Sequence, residues 1–276
     1  MFFNLKTLGL FGALFVFLRM LHHKVLTHPN SLEWTVFIHG FGGSSNVWFK
    51  QVKAFHEHFN VVLIDLRGHG KSKDLPSHRK YSFELIAREV AEVIDYLKIQ
   101  KAHFIGVSLG SIIIRQVAVN YPKMVKSMIF AGAITQLDVK SRFFLRLGRT
   151  LQPVLPYMAL YKLFANIMMP KKNHQESRNI FIGEAKKLMN QEFKRWFKLT
   201  GRLTKYLSYL YHENKDDKAL YIMGSEDHLF VGPAKEIVQG NPNLRLEIVQ
   251  ECGHVVNVEQ PDAFNKIAID FIQKQT

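Results

Sequence analysis

Five residues constrain this chain more than any others: Gly106-Val107-Ser108-Leu109-Gly110, between the apolar run Ala102–Ile105 and the helix-patterned run Ser111–Val119. A short apolar run bounded by a turn signal reads as a buried strand. A serine between glycines, where strand gives way to helix, forms a sharp strained turn that lifts the side chain above the sheet edge, a nucleophile elbow. Side chains at positions 106 and 110 would collide with the adjoining strand and helix. The Leu109 N–H then lies at a helix N-terminus, aimed where an anionic oxygen would form. Three fixed residues recur by chance, so the strand and helix context has to carry the assignment.

That context runs along the chain. Thr35–Ile38 is a short strand leading into His39-Gly40-Phe41-Gly42-Gly43-Ser44-Ser45, whose glycines let backbone N–H groups approach a reacting atom. Ser44 or Ser45 can cap a helix predicted over Val47–Phe55. A second strand, Val61–Ile64, is followed by Asp65-Leu66-Arg67-Gly68-His69-Gly70-Lys71-Ser72, in which Asp65 and Arg67 are read as braces of a loop rather than as a catalytic cluster. Phe83–Leu97 has helical spacing, and Met124–Ala131 reads as a strand. Alternation then stops: residues 134–214 hold helices punctuated by Pro153, Pro156 and Pro170. It resumes with strands Ala219–Met223 and Leu244–Val249 and a closing helix from Pro261. The reading is an α/β fold, a mostly parallel central sheet with helices on both faces. Residues 27–133 and 215–276 form its core, 134–214 an inserted helical cap, and 1–26 an apolar N-terminal segment. The polar candidates all follow strands, along the edge where open parallel sheets bind ligands.

Charge and length bound the rest. At 276 residues the chain can bury a sizeable core. Of a formal net charge of +14, residues 135–214 hold fifteen Lys/Arg against five Asp/Glu, or +10. Such a surface suits an anionic membrane or ligand; without a nucleic-acid motif, nucleic acid is set aside, and solvated helix faces are the plain alternative. The uninterrupted apolar part of the first segment, Thr7–Leu18, has 12 residues. As a helix it covers about 18 Å, short of a hydrocarbon core of about 30 Å. It is read as a membrane anchor, an interfacial helix or a helix packed on the domain, and no signal-cleavage site follows it. Cys252, the single cysteine, excludes an intrachain disulfide and is consistent with a reducing compartment, as with export of a protein that lacks disulfides; the expected location is at a membrane through the N-terminal segment, otherwise cytoplasmic.

Taken together, these segments resemble the α/β-hydrolase family, from about Thr35 to the C-terminus apart from the cap. Ser108, Asp227 after 119 residues and His254 after another 27 follow the family's order of serine, acid and histidine. The His39-Gly40-Phe41-Gly42 and Asp65-x-Arg67-Gly68-x-Gly70-x-Ser72 segments fall in place between strand and elbow. The resemblance implies that His254 takes the Ser108 proton, Asp227 orients His254, and the N–H groups of Phe41 and Leu109 hold the oxyanion. It implies a cofactor-free serine hydrolase of carboxylic esters, a carboxylesterase or monoacylglycerol-lipase-like enzyme, on apolar or lipid-like substrates. Carbon–carbon bond hydrolysis, perhydrolysis and a low-turnover ligand-binding scaffold are the alternatives.

Neighbouring residues are weighed against these roles. Glu226 adjoins Asp227, but the Gly224-x-x-Asp227 spacing favours Asp227. Cys252 lies on no elbow and reads as a small buried residue. His39 is expected to order its loop. The 13 histidines show no ligand spacing, so no metal site is expected.

Overall fold

The computed structural model describes residues 20–76, 80–213 and 218–275. Seven strands form one sheet: β1 (His23–Leu26), β2 (Trp34–Ile38), β3 (Asn60–Ile64), β4 (Ala102–Val107), β5 (Val125–Ala131), β6 (Ala219–Gly224) and β7 (Leu244–Val249). Their order across the sheet is β1-β3-β2-β4-β5-β6-β7. Only β1 runs antiparallel, with His23 opposite Ile64 and Leu26 opposite Val61. Residues 23–26 thus belong to the sheet and not to the N-terminal segment, which corrects the expected boundary. A four-residue edge strand whose partner lies about forty residues onward leaves no local alternation to read. Residues 1–19 of that segment lie outside the described residues. Among the described residues no helix is long and apolar enough to cross a membrane.

The central strands are buried on both faces, which is why they read as unbroken apolar runs. Their side chains alternate between two cores. Val36, Ile38, Phe104, Phe130 and Tyr221 pack on one side against α2 (Phe83–Tyr96) and α3 (Leu109–Asn120). Phe37, Val61, Ile105, Ile129 and Ile222 pack on the other against α1 (Val52–His56) and the final helix α11 (Pro261–Gln273). The helix expected over Val47–Phe55 is divided: a 3-10 turn, Ser45–Trp48, precedes α1. Two polar ties hold the start of that turn, Ser44 accepting from the Asn46 N–H and Asp65 accepting from the Ser45 N–H at 2.7 Å.

Between β5 and β6 the described residues form no strand, only helices: α4 (Val139–Leu151), α5 (Tyr157–Met168), α6 (Gln175–Ala185), α7 (Asn190–Thr200) and α8 (Leu203–Glu213). They have a small core of their own around Leu160, Tyr161, Phe193 and Phe197. Two further short helices, α9 (Val231–Val238) and α10 (Val256–Glu259), follow β6 and β7.

Candidate active site

Ser108 sits between β4 and α3 with φ 54° and ψ −118°, outside the regions an L-residue favours. Such a conformation costs about 1–3 kcal/mol and persists only where its surroundings enforce it. Here they do: a Cβ at Gly110 would stand 2.3 Å from the Ile38 carbonyl oxygen, and one at Gly106 2.6 Å from Ile114 Cδ1. Both glycines are therefore required for β4, β2 and α3 to close on the turn. The Ser108 N–H donates to the Ala131 carbonyl at 2.9 Å, fixing the elbow to β5.

The loops after β6 and β7 bring Asp227 and His254 to this serine. His254 Nε2 lies 2.9 Å from Ser108 Oγ, and its Nδ1 lies 2.8 Å from Asp227 Oδ2. Asp227 and His254 are both buried, and Ser108 is half-buried. With Asp227 ionised, the hydrogen-bond network assigns the proton to Nδ1, leaving Nε2 free to accept the serine proton. The loops meet because Gly224 lets the β6 loop approach the β7 loop; a Cβ there would be 2.1 Å from the Gly253 oxygen.

The adjacent carboxylate is engaged elsewhere. Glu226 pairs with Lys171 at 2.7 Å, with His174 Nε2 at 2.7 Å and with Asn173 at 2.9 Å, all from the cap side. These hydrogen bonds, Asn173 foremost, hold its carboxyl at about 2. Glu259 extends the same network, accepting from the Gly253 N–H at 2.6 Å and from Ser177 at 2.7 Å. The start of α6 is thereby tied to both loops that carry Asp227 and His254. Cys252 is buried, and burial pushes its thiol well above the usual range.

Phe41 and Leu109 flank the serine. The loop after β2 passes close enough that a Cβ at Gly40 would be 3.2 Å from Ser108 Cβ. Neither the Phe41 nor the Leu109 N–H makes a hydrogen bond among the described residues. The loop is braced from behind by two neutral histidines. His69 Nε2 accepts from the Gly42 N–H and His39 Nε2 from the Leu66 N–H, each at 2.9 Å. Their Nδ1 atoms donate to the Arg67 and Gly40 carbonyls at 3.0 and 2.8 Å. Burial pushes His69 down to about 3 and lowers His39 as well. Asp65 accepts from the Ser45 and Lys71 N–H groups, and Arg67 pairs with Glu89. His39, Asp65 and Arg67 thus hold loops, and His69 is a brace that the sequence pattern did not single out.

Two cavities open on Ser108. The larger, about 150 Å³, lies beneath the cap, and Phe144, Leu145, Phe164, Ile167, Phe193 and Phe197 supply much of its wall. A cavity of that size lined by apolar groups admits a benzene ring in another protein. Its lining contains no lysine, arginine, histidine or carboxylate. Tyr161, which also reaches it, spends its hydroxyl on the Phe41 carbonyl at 2.8 Å. The smaller cavity, about 30 Å³, is the one that His254 lines, with Glu184 and Val255. No cluster of His, Cys, Asp and Glu that could hold a metal occurs among the described residues.

A parallel sheet whose C-terminal edge brings a strained serine, a histidine and an aspartate into one hydrogen-bonded line is the architecture of a hydrolase. The chain belongs to the alpha/beta hydrolase fold family, whose model matches residues 34–261. It is 28% identical over 254 residues to a Bacillus subtilis (strain 168) protein named as a provisional 2-succinyl-6-hydroxy-2,4-cyclohexadiene-1-carboxylate synthase, covering 88% of this chain and 92% of the other. To a provisional carbamate hydrolase of Agrobacterium fabrum it is 25% identical over 247 residues, covering 84% and 90%. Among solved structures, a hydrolase from Pseudomonas aeruginosa superposes with a TM-score of 0.77 at 21% identity, covering 91% of this chain and 94% of that one.

Proposed function

We propose that the protein hydrolyses carboxylic esters of apolar acyl groups through an acyl-Ser108 intermediate. The observation that carries this reading is the pairing of the Ser108–His254–Asp227 line with a cavity above the serine that is predominantly apolar and carries no charged side chain. In the first half-reaction Ser108 Oγ attacks the ester carbonyl while His254 Nε2 takes its proton. The carbonyl oxygen becomes an oxyanion held by the N–H groups of Phe41 and Leu109, each worth about 3–4 kcal/mol in comparable sites. Asp227 keeps His254 in the tautomer that accepts this proton and then stabilises the imidazolium. As the intermediate collapses, the alcohol oxygen leaves with the proton from His254. Water, deprotonated by the same nitrogen, then attacks the acyl-enzyme and releases the acid.

The departing oxygen must lie beside His254 Nε2 to be protonated. His254 lines the small cavity and not the large one, which supports placing the alcohol in the former and the acyl chain in the latter. Chemistry on a carboxylate-bearing molecule, such as the carboxylate in the Bacillus subtilis relative's name, calls for a cation over the serine. The large cavity's lining offers none. An unpaired carboxylate desolvated there would cost several kcal/mol.

A series of p-nitrophenyl esters from acetate upward tests the reading. Each methylene buried contributes about 0.8 kcal/mol, so kcat/KM should rise about fourfold per methylene until the cavity is filled. Ser108→Ala should remove essentially all turnover, and a fluorophosphonate probe should label the wild type and not this variant. Retention of more than about a tenth of kcat in Ser108→Ala, or a profile flat with chain length, would sink the proposal.

A further inference from the structure

Helix α4 has two faces with different surroundings. Inward, Ser141, Phe144 and Leu145 line the large cavity above Ser108. Outward, Val139 and Phe143 are 74% and 60% exposed, an unusual position for a valine and a phenylalanine one turn apart. Beside them, a groove of about 780 Å³ runs between α4 and α8, lined by Arg142, Arg146, Arg202 and Lys205 against a single carboxylate, Glu84. None of these four cations forms an ion pair among the described residues. A second groove continues from it past Arg202 to Arg195, Lys198 and Lys80. Half-exposed Tyr209 borders the first groove from α8.

Cations interleaved with exposed aromatic and aliphatic side chains on one helical face are what an anionic lipid surface recognises. The charges meet headgroups while the apolar side chains enter the acyl boundary. We propose that the outer face of α4, with the groove it shares with α8, docks the protein on an anionic bilayer. An acyl chain leaving the bilayer then passes along α4 into the cavity above Ser108. The helix is short enough for this: Val139 and Phe143 on the surface and Phe144 in the cavity wall lie within about two turns. Delivery of substrate rests on the ester-hydrolase reading; docking does not.

The test is flotation of the full-length protein with vesicles of phosphatidylcholine alone and of phosphatidylcholine mixed with phosphatidylserine, at low and high salt. Binding should grow with phosphatidylserine content and fall steeply with salt. Replacing both Arg142 and Arg146 with Gln should weaken partitioning about fivefold per cation, and Phe143→Ser should weaken it further. All variants should hydrolyse water-soluble p-nitrophenyl butyrate at the wild-type rate, which reports an intact site and fold. Turnover of a long-chain ester embedded in the anionic vesicles should decline in step with binding.

Binding indifferent to phosphatidylserine, binding that the α4 variants leave unchanged, or no binding to either vesicle would each overturn the proposal. So would self-association in lipid-free solution that Phe143→Ser abolishes, which would give the face to a second copy of the chain. Loss of ester turnover in a wild type that still binds would overturn the hydrolase reading and leave docking intact.

Discussion

Two adjacent carboxylates on the β6 loop serve different partners. Asp227 faces His254 at 2.8 Å, while Glu226 faces Lys171, Asn173 and His174. Asp227→Asn should therefore lower kcat at least a hundredfold and toward ten-thousandfold, because the amide favours the wrong histidine tautomer. Glu226→Gln should leave kcat within about threefold and lower the melting temperature, since it weakens the tie between cap and loops. The opposite ranking in steady-state kinetics would move the acid to Glu226. The residue-by-residue spacing already favoured Asp227, because the chain order and the strand-end loop are local signals. What Glu226 does was hidden: its partners stand more than fifty residues away on the inserted helices, where no repeating pattern marks them. His69 was hidden for the same reason. It sits in a turn that looks generic, and its role depends on a Gly42 N–H 27 residues earlier.

At the scale of elements, the parallel strands were legible because burial on both faces writes them as apolar runs, and the elbow because sterics demand Gly106 and Gly110. The edge strand β1 was not, since half-exposed His23 and Val25 and exposed Lys24 carry no period. The five cap helices announced themselves only by the absence of strands. Their arrangement around an apolar space depends on aromatic contacts between helices, such as Tyr161 of α5 on Phe181 of α6 at 4.4 Å and Phe164 of α5 on Phe197 of α7 at 6.1 Å. That space can be closed from one element. Leu145 lines it from α4, so Leu145→Trp should fill it and cut kcat/KM for octanoate and longer esters at least tenfold. Acetate hydrolysis should stay within about threefold. Equal loss on short and long chains, measured across the ester series, would mean the acyl group lies elsewhere.

For the molecule as a whole, three buried histidines set a limit on acid stability. Burial pushes His69 down to about 3 and His103 to about 4, and lowers His39 too. The unfolded chain takes up these protons near pH 6.5 while the folded protein refuses them. Stability therefore falls as pH drops below that value and recovers as pH rises, by about 1.4 kcal/mol each for His69 and His103 between pH 7.5 and 5.5, with His39 acting in the same direction. Asp65, Glu33 and Glu226, whose carboxyls are held low, add to the loss only below about pH 4.5. Urea unfolding at pH 7.5, 6.5 and 5.5 should show this slope, and His69→Gln should reduce the loss over that range by about 1.4 kcal/mol. An unchanged slope in that variant would assign the acid sensitivity to other groups.

The reversed direction of β1 also fixes how the molecule is leashed. Because His23 stands opposite Ile64, the chain enters the sheet at the rim from which Ser108 rises, not at the far end of the strands. A fluorophore coupled at Met20 is thus hitched to the catalytic rim, three residues ahead of the strand that starts there.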